Sequence, residues 1–170
     1  MSEKIKVLFL AANPADTARL QLDEELRAIF AALREGDRSL FEVAVAPALR
    51  ASELPTTILR ENPDIIHYSG HGSQGEILLA ADAASLAPVG AEELGRIFKT
   101  FANRTRCVVL NACFSATVAE AISASFVASG DIAWSAIALT LAGSVSPLCC
   151  TALFRTMSLY CTTLANSPMV

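Results

Sequence analysis

The chain has 170 residues, enough for one domain with a real core. Its hydrophobic share of 53% and charged share of 18% exclude a disordered segment. A net charge of −4 leaves no basic surface for nucleic acid or an anionic membrane. The opening Met1-Ser2-Glu3-Lys4-Ile5-Lys6 is polar and the apolar run after it is short, which is not a signal peptide. The five cysteines, Cys107, Cys113, Cys149, Cys150 and Cys161, show neither zinc spacing nor the framework of a small secreted domain. The expectation is a cytoplasmic protein with free thiols, no metal and no cofactor.

In chain order, Ile5 to Ala12 is a compact apolar run stopped by Asn13-Pro14, which predicts a buried strand. Asp16-Thr17 opens a helical stretch carried by Leu20, Leu22, Leu26, Ile29, Phe30 and Leu33 and closed by Gly36. Phe41 to Ala46 alternates and predicts a second strand; Ala51 to Arg60 predicts a helix that ends before Asn62-Pro63. Asp64 to Ser69 is a third strand running into Gly70, and Glu76 to Ala80 a short one. Ala91 to Phe101 is a helix with Leu94, Ile97, Phe98 and Phe101 on one face. Arg106 to Asn111 is the fourth main strand, and Ser115 to Ser123 begins another helix.

Strands alternating with helices imply parallel strands joined by crossovers. The expected fold is α/β, a three-layer α/β/α sandwich on a mostly parallel sheet. The tail differs: between Ala124 and Val170 the only charged side chains are Asp131 and Arg155. Gly130, Gly143 and Pro147 interrupt it, so it does not read as a membrane span, although a buried strand and helix pair would fit. The division expected is a core over 5–123 and an anomalous low-charge segment over 124–170, a divergent or frame-shifted remainder of the same domain.

In parallel sheets, chemistry sits beyond the carboxyl ends of the strands. Two segments end there with reactive groups: Ser69-Gly70-His71-Gly72 and Asn111-Ala112-Cys113-Phe114-Ser115. A thiol attacks a carbonyl as thiolate, and its ordinary pKa of ~8.5 falls beside an imidazolium or a helix N-terminus. Cys113, where strand turns to helix, is the expected nucleophile, and His71 the general acid and base. Gly70 and Gly72 allow positive φ and close approach of substrate backbone, and their N–H groups, particularly that of Gly72, can serve the oxyanion. Ser69 and Asn111 flank the pair and can shape the site, although strand-end polar residues often only cap turns.

Each element alone is weak, since a lone Cys at a strand end is more often a buried structural thiol. Cys107, within its strand, should be such a core thiol, and His67 a packed histidine. Glu76 and Asp82 can orient His71 or bind a basic side chain, although solvated loop carboxylates are commoner. The order His then Cys, at close to the ~50-residue spacing of caspases, strengthens the pair. Gly70 to Gly75 also fits G-x-G-x-x-G, but the dinucleotide fingerprint needs a helix to open there, and Glu76 to Ala80 reads as strand.

Pro63-Asp64-Ile65-Ile66-His67-Tyr68-Ser69-Gly70-His71-Gly72 and Cys107-Val108-Val109-Leu110-Asn111-Ala112-Cys113-Phe114-Ser115 resemble the CHAT domains of the caspase-like (clan CD) peptidases. The opening Val7 to Pro14, with Leu22-Asp23-Glu24-Glu25-Leu26-Arg27, is similar to the start of bacterial members, and the resemblance covers about Ile5 to Ser123. It implies a caspase–haemoglobinase fold, His71 as acid and base, Cys113 as nucleophile, and endopeptidase activity switched on by a partner or sensor. It implies a protein substrate and a place in bacterial defence or regulated death, while the charge balance leaves no direct nucleic-acid or membrane partner expected. The resemblance stops near Ala124, so no substrate-pocket residue carries over. The alternative is a catalytically inactive module that keeps the fold; a nucleotide binder using the Gly70 to Gly75 loop is a third reading.

Overall fold

The computed structural model describes residues 4–12, 26–31, 40–81, 85–127 and 135–139. The chain divides into two compact units, Met1–Leu20 with Leu40–Ala142, and Gln21–Ser39 with Gly143–Val170. Of the second, the described part is the helical residues 26–31, within the predicted first helix. Readings placed on Asp82, Cys149, Cys150 and Cys161 lie outside the described residues.

Among the described residues, the first unit carries seven strands in one sheet. They are β1 (Ile5–Ala12), β2 (Phe41–Pro47), β3 (Ile65–Ser73), β4 (Glu76–Ala80), β5 (Leu86–Gly90), β6 (Cys107–Asn111) and β7 (Ser135–Leu139). The helices are α1 (Leu54–Glu61), preceded by a 3-10 turn at Ala51–Glu53, then α2 (Ala91–Thr100) and α3 (Ser115–Val127). The order β2-β1-β3-β6-β7 is parallel throughout. β4 pairs antiparallel with the end of β3, and β5 antiparallel with β4. The fold is therefore mixed α/β with a mostly parallel open sheet. Among the described residues, no helix is long and apolar enough to cross a membrane.

The central strands are continuous apolar runs because both of their faces are buried. Leu8, Leu10, Ile66, Tyr68, Val108 and Leu110 point to one face and share a core with Leu54 and Ile58 of α1, Leu94 and Phe98 of α2, and Val118 and Ile122 of α3. Residues of the opposite parity, Val7, Phe9, Ile65 and Val109, are equally buried. His67 belongs to that second set. It stacks on its register partner Phe9 with ring centroids 5.1 Å apart, the packed histidine expected.

Local chemistry sets the boundaries. Pro55 stands in the first turn of α1, where the missing N–H costs nothing, and Asn62 caps its end in the left-handed region at φ 46°. In α2, Glu92 and Glu93 occupy the first turn and Lys99 the last, each complementing the helix dipole. β5 was hidden in the sequence by Pro88. The residue is tolerated because, among the described residues, β5 pairs on one side only.

Asp64 ties the amino ends of three strands together. Its carboxylate accepts from the Lys6 N–H at 2.8 Å and from Arg104 Nη2 at 3.2 Å. Its backbone N–H donates to the Lys6 carbonyl at 2.9 Å, and its own carbonyl accepts from the Arg106 N–H at 2.8 Å. Asp64→Ala leaves the Lys6 N–H without this acceptor, a loss of about 1–3 kcal/mol. At this chain length each kcal/mol lowers the melting midpoint by about 2–4 °C. Thermal unfolding should show that fall and Asp64→Asn a smaller one, while Cys113 reactivity at the far end of the sheet stays unchanged.

Candidate active site

β1 ends at Ala12 and β6 at Asn111, but β3, between them, continues to Ser73. Its pairing with β1 runs out at Gly70 and its pairing with β6 at Ser69. From His71 it pairs with β4 instead, His71 opposite Leu78 and Gly72 opposite Ile77. The His71 segment thus projects past the carboxyl ends of its parallel neighbours as one arm of a hairpin. This corrects the expectation of a glycine-flanked loop. The turn is Gln74-Gly75, and Gly75, at φ 76°, is the one described glycine with positive φ. Gly70 and Gly72 sit in strand, and close approach rather than a left-handed backbone accounts for them. A Cβ at Gly70 would overlap the Tyr68 phenol and crowd the Ala12 carbonyl; one at Gly72 would overlap the Cys113 carbonyl oxygen and crowd Ala112.

On the other side, β6 ends at Asn111 and α3 opens at Ser115. Ala112 is buried, Cys113 is exposed with a free thiol, and Phe114 is 56% exposed. Phe114 has φ 55°, a conformation that costs a non-glycine residue on the order of 1–3 kcal/mol and presents its predecessor on a tight turn. Ser115 anchors the turn from within, buried, its Oγ donating to the Leu110 carbonyl at 3.3 Å. The first N–H groups of α3, which have no partner inside the helix, lie within a few residues of Cys113. Cys107, the expected core thiol, is buried in β6.

The two predicted segments therefore meet, with the Gly72 backbone against the Cys113 carbonyl. His71 is partly buried, and its Nε2 is enclosed and, among the described residues, makes no hydrogen bond, to the Cys113 sulfur or to any other group. Ser69 and Asn111 are register partners on β3 and β6, both buried, and form polar flooring beneath the strand ends rather than exposed ligands. Glu76 accepts from Ser73 Oγ at 3.0 Å across the base of the turn, which accounts for its carboxylate locally.

One residue of this region escaped the sequence reading. Tyr68 is buried, and its hydroxyl donates to the His71 carbonyl at 2.8 Å and the Leu78 carbonyl at 2.9 Å. Burial pushes its phenol pKa far above the ordinary range, so it stays a donor at any working pH. The only sequence signal is an aromatic two residues before a strand glycine.

A mixed α/β domain thus carries a histidine beyond its parallel strands and a cysteine at the strand-to-helix turn after β6, and comparison with known proteins gives the family. The CHAT domain model matches residues 4–144, and the chain belongs to the CHAT-domain family. It is also 28% identical, over 127 residues covering 69% of its length, to a Roc-COR-CHAT protease from an unknown prokaryotic organism. The chain spans 12% of that relative's length.

Proposed function

We propose that the chain is a cysteine endopeptidase domain in which Cys113 is the nucleophile and His71 the general acid and base. The observation that carries this reading is the seating of Gly72 on the Cys113 carbonyl, which puts the His71 strand and the Cys113 turn in contact at the carboxyl ends of the sheet. The family and its protease-named relative support it.

In this reading the Cys113 thiolate attacks the scissile carbonyl carbon, and the C–N bond breaks as His71 delivers a proton to the leaving amine. Water, deprotonated by His71, then hydrolyses the thioester and frees the thiol. Backbone N–H groups around Gly72 and the start of α3 hold the oxyanion, with Gly70, Ser69 and Asn111 shaping the site from below. His71 Nε2, unbonded at rest, finds its partner when substrate arrives, as catalytic hydrogen bonds commonly tighten only in the complex. The remainder of the reading is a three-layer caspase–haemoglobinase architecture, a protein substrate, an activating partner or sensor, a cytoplasmic location and a role in bacterial defence or regulated death.

A second reading has its own ground in the same atom. A His71 Nε2 that makes no hydrogen bond to the Cys113 sulfur also suits a domain that kept the fold and lost catalysis. Alkylation of Cys113, followed by mass spectrometry across pH in the parent and in His71→Ala, separates the two. The peptidase reading expects fast labelling well below the ordinary thiol pKa of ~8.5, falling by about 10-fold or more without His71. Cys107 is the buried control. Labelling of Cys113 that follows an ordinary thiol, and ignores His71, would leave the inactive module standing.

A further inference from the structure

We infer that Tyr68 is a positioning residue for the proposed His71–Cys113 pair, its buried hydroxyl fixing the point where β3 leaves the parallel sheet. The inference rests on the peptidase reading and adds to it a residue that acts through backbone carbonyls.

β3 has two parallel neighbours up to Ser69 and one antiparallel neighbour from His71 on. At such a handover the ladder that fixed the strand stops, and another constraint must set the direction of the projecting arm. The Tyr68 hydroxyl lies at that place. It shares its proton between the carbonyls of His71 and Leu78, which face each other across the β3–β4 pair, and so clamps both strands of the hairpin at one level. The ring is 1% exposed, so water does not compete for the proton.

Gly70 completes the device. A Cβ there would overlap the phenol oxygen and crowd the ring, so the hydroxyl reaches its two acceptors through the space that glycine leaves. One residue beyond His71, Gly72 rests on the Cys113 carbonyl. Tyr68, His71 and the Cys113 turn are therefore linked through three consecutive backbone positions, and a shift at the clamp moves the imidazole relative to the sulfur.

The test compares Tyr68→Phe, which keeps the ring and removes the hydroxyl, with Thr105→Val. Thr105 is also fully buried, and its Oγ1 donates to the Pro63 carbonyl at 2.9 Å at the opposite end of β3. Both variants lose a buried hydroxyl that donates to backbone carbonyl, Tyr68 from within β3 and Thr105 from the residues just before β6. The readout is the pH profile of Cys113 alkylation by iodoacetamide in the full chain, with His71→Ala as reference. Tyr68→Phe should slow labelling at low pH by about 10- to 100-fold and move the midpoint toward that of His71→Ala, while Thr105→Val leaves the profile alone. Hydrogen exchange in Tyr68→Phe should quicken across β4. Gly70→Ala, which displaces the hydroxyl without removing it, should reproduce the Tyr68→Phe profile.

A Tyr68→Phe or Gly70→Ala protein whose profile matches the parent's overturns the positioning role and leaves the His71–Cys113 reading intact. A profile that Thr105→Val alters equally assigns the effect to general stability and also overturns it. A parent profile that is already independent of His71 removes the peptidase reading and this inference together.

Discussion

Cys113→Ala is expected to eliminate proteolysis while leaving the fold untouched. The thiol is exposed and free, so its removal opens no cavity and breaks no core contact, and the melting midpoint should stay at the parent value. Activity should fall by at least about 10⁴-fold, the scale on which loss of a nucleophile acts. His71→Ala should cost a comparable factor, and the double variant little more than either single one, because nucleophile and proton-transfer group serve one step and their losses do not add. The measurement is the appearance of new protein N-termini, followed by N-terminal labelling and mass spectrometry, in a cell extract incubated with each purified variant. Termini that persist with Cys113→Ala would sink the assignment of the nucleophile. If the parent produced none while its thiol alkylated as an ordinary one, the inactive module would be the better reading.

The parts of the fold that were legible in the sequence are those whose signal is local. β1 and β4 occupy the predicted residues, and α2 and β6 differ from prediction by one residue. Their apolar runs are bounded by punctuation that acts within a few residues, such as Asn62-Pro63 before β3. What escaped the sequence reading has causes elsewhere in the fold. β3 extends to Ser73 although glycine at 70 and 72 suggested a loop. Those glycines answer to Tyr68 and to Cys113, and spacing along the chain does not show which backbone will approach them. β5 contains Pro88, which is decisive against a strand only when both edges of that strand must pair.

The candidate site divides in the same way. His71 and Cys113 could be singled out in the sequence because strand ends on a parallel sheet are predictable and reactive side chains there are few. The buried settings of Ser69 and Asn111 follow from register, and Tyr68's two acceptors from a hairpin whose geometry no motif encodes. A sequence thus points to candidate reactive groups more readily than to the buried groups packed around them.

Gly72→Ala tests the contact on which the site depends. The added Cβ would overlap the Cys113 carbonyl oxygen, and backbone, unlike the tip of a long side chain, has no rotamer with which to yield. Either β3 moves outward or the 112–114 turn moves away, at a cost of about 1–3 kcal/mol, the range for overpacking a fitted contact. Either movement separates His71 from Cys113, so His71-dependent alkylation and proteolysis should both fall by about 100-fold, the penalty of a displacement near 1 Å. Gly75→Ala is the matched control. Nothing lies within 4 Å of a Cβ there, but φ is 76°, so the left-handed backbone alone costs about 1–2 kcal/mol. The two variants should lose similar stability in urea unfolding and differ sharply in Cys113 chemistry. Equal retention of reactivity in both would mean that the Gly72 contact does not set the site. Loss in Gly72→Ala alone would mean that the proximity of the two segments, beyond the stability of the domain, makes the thiol reactive.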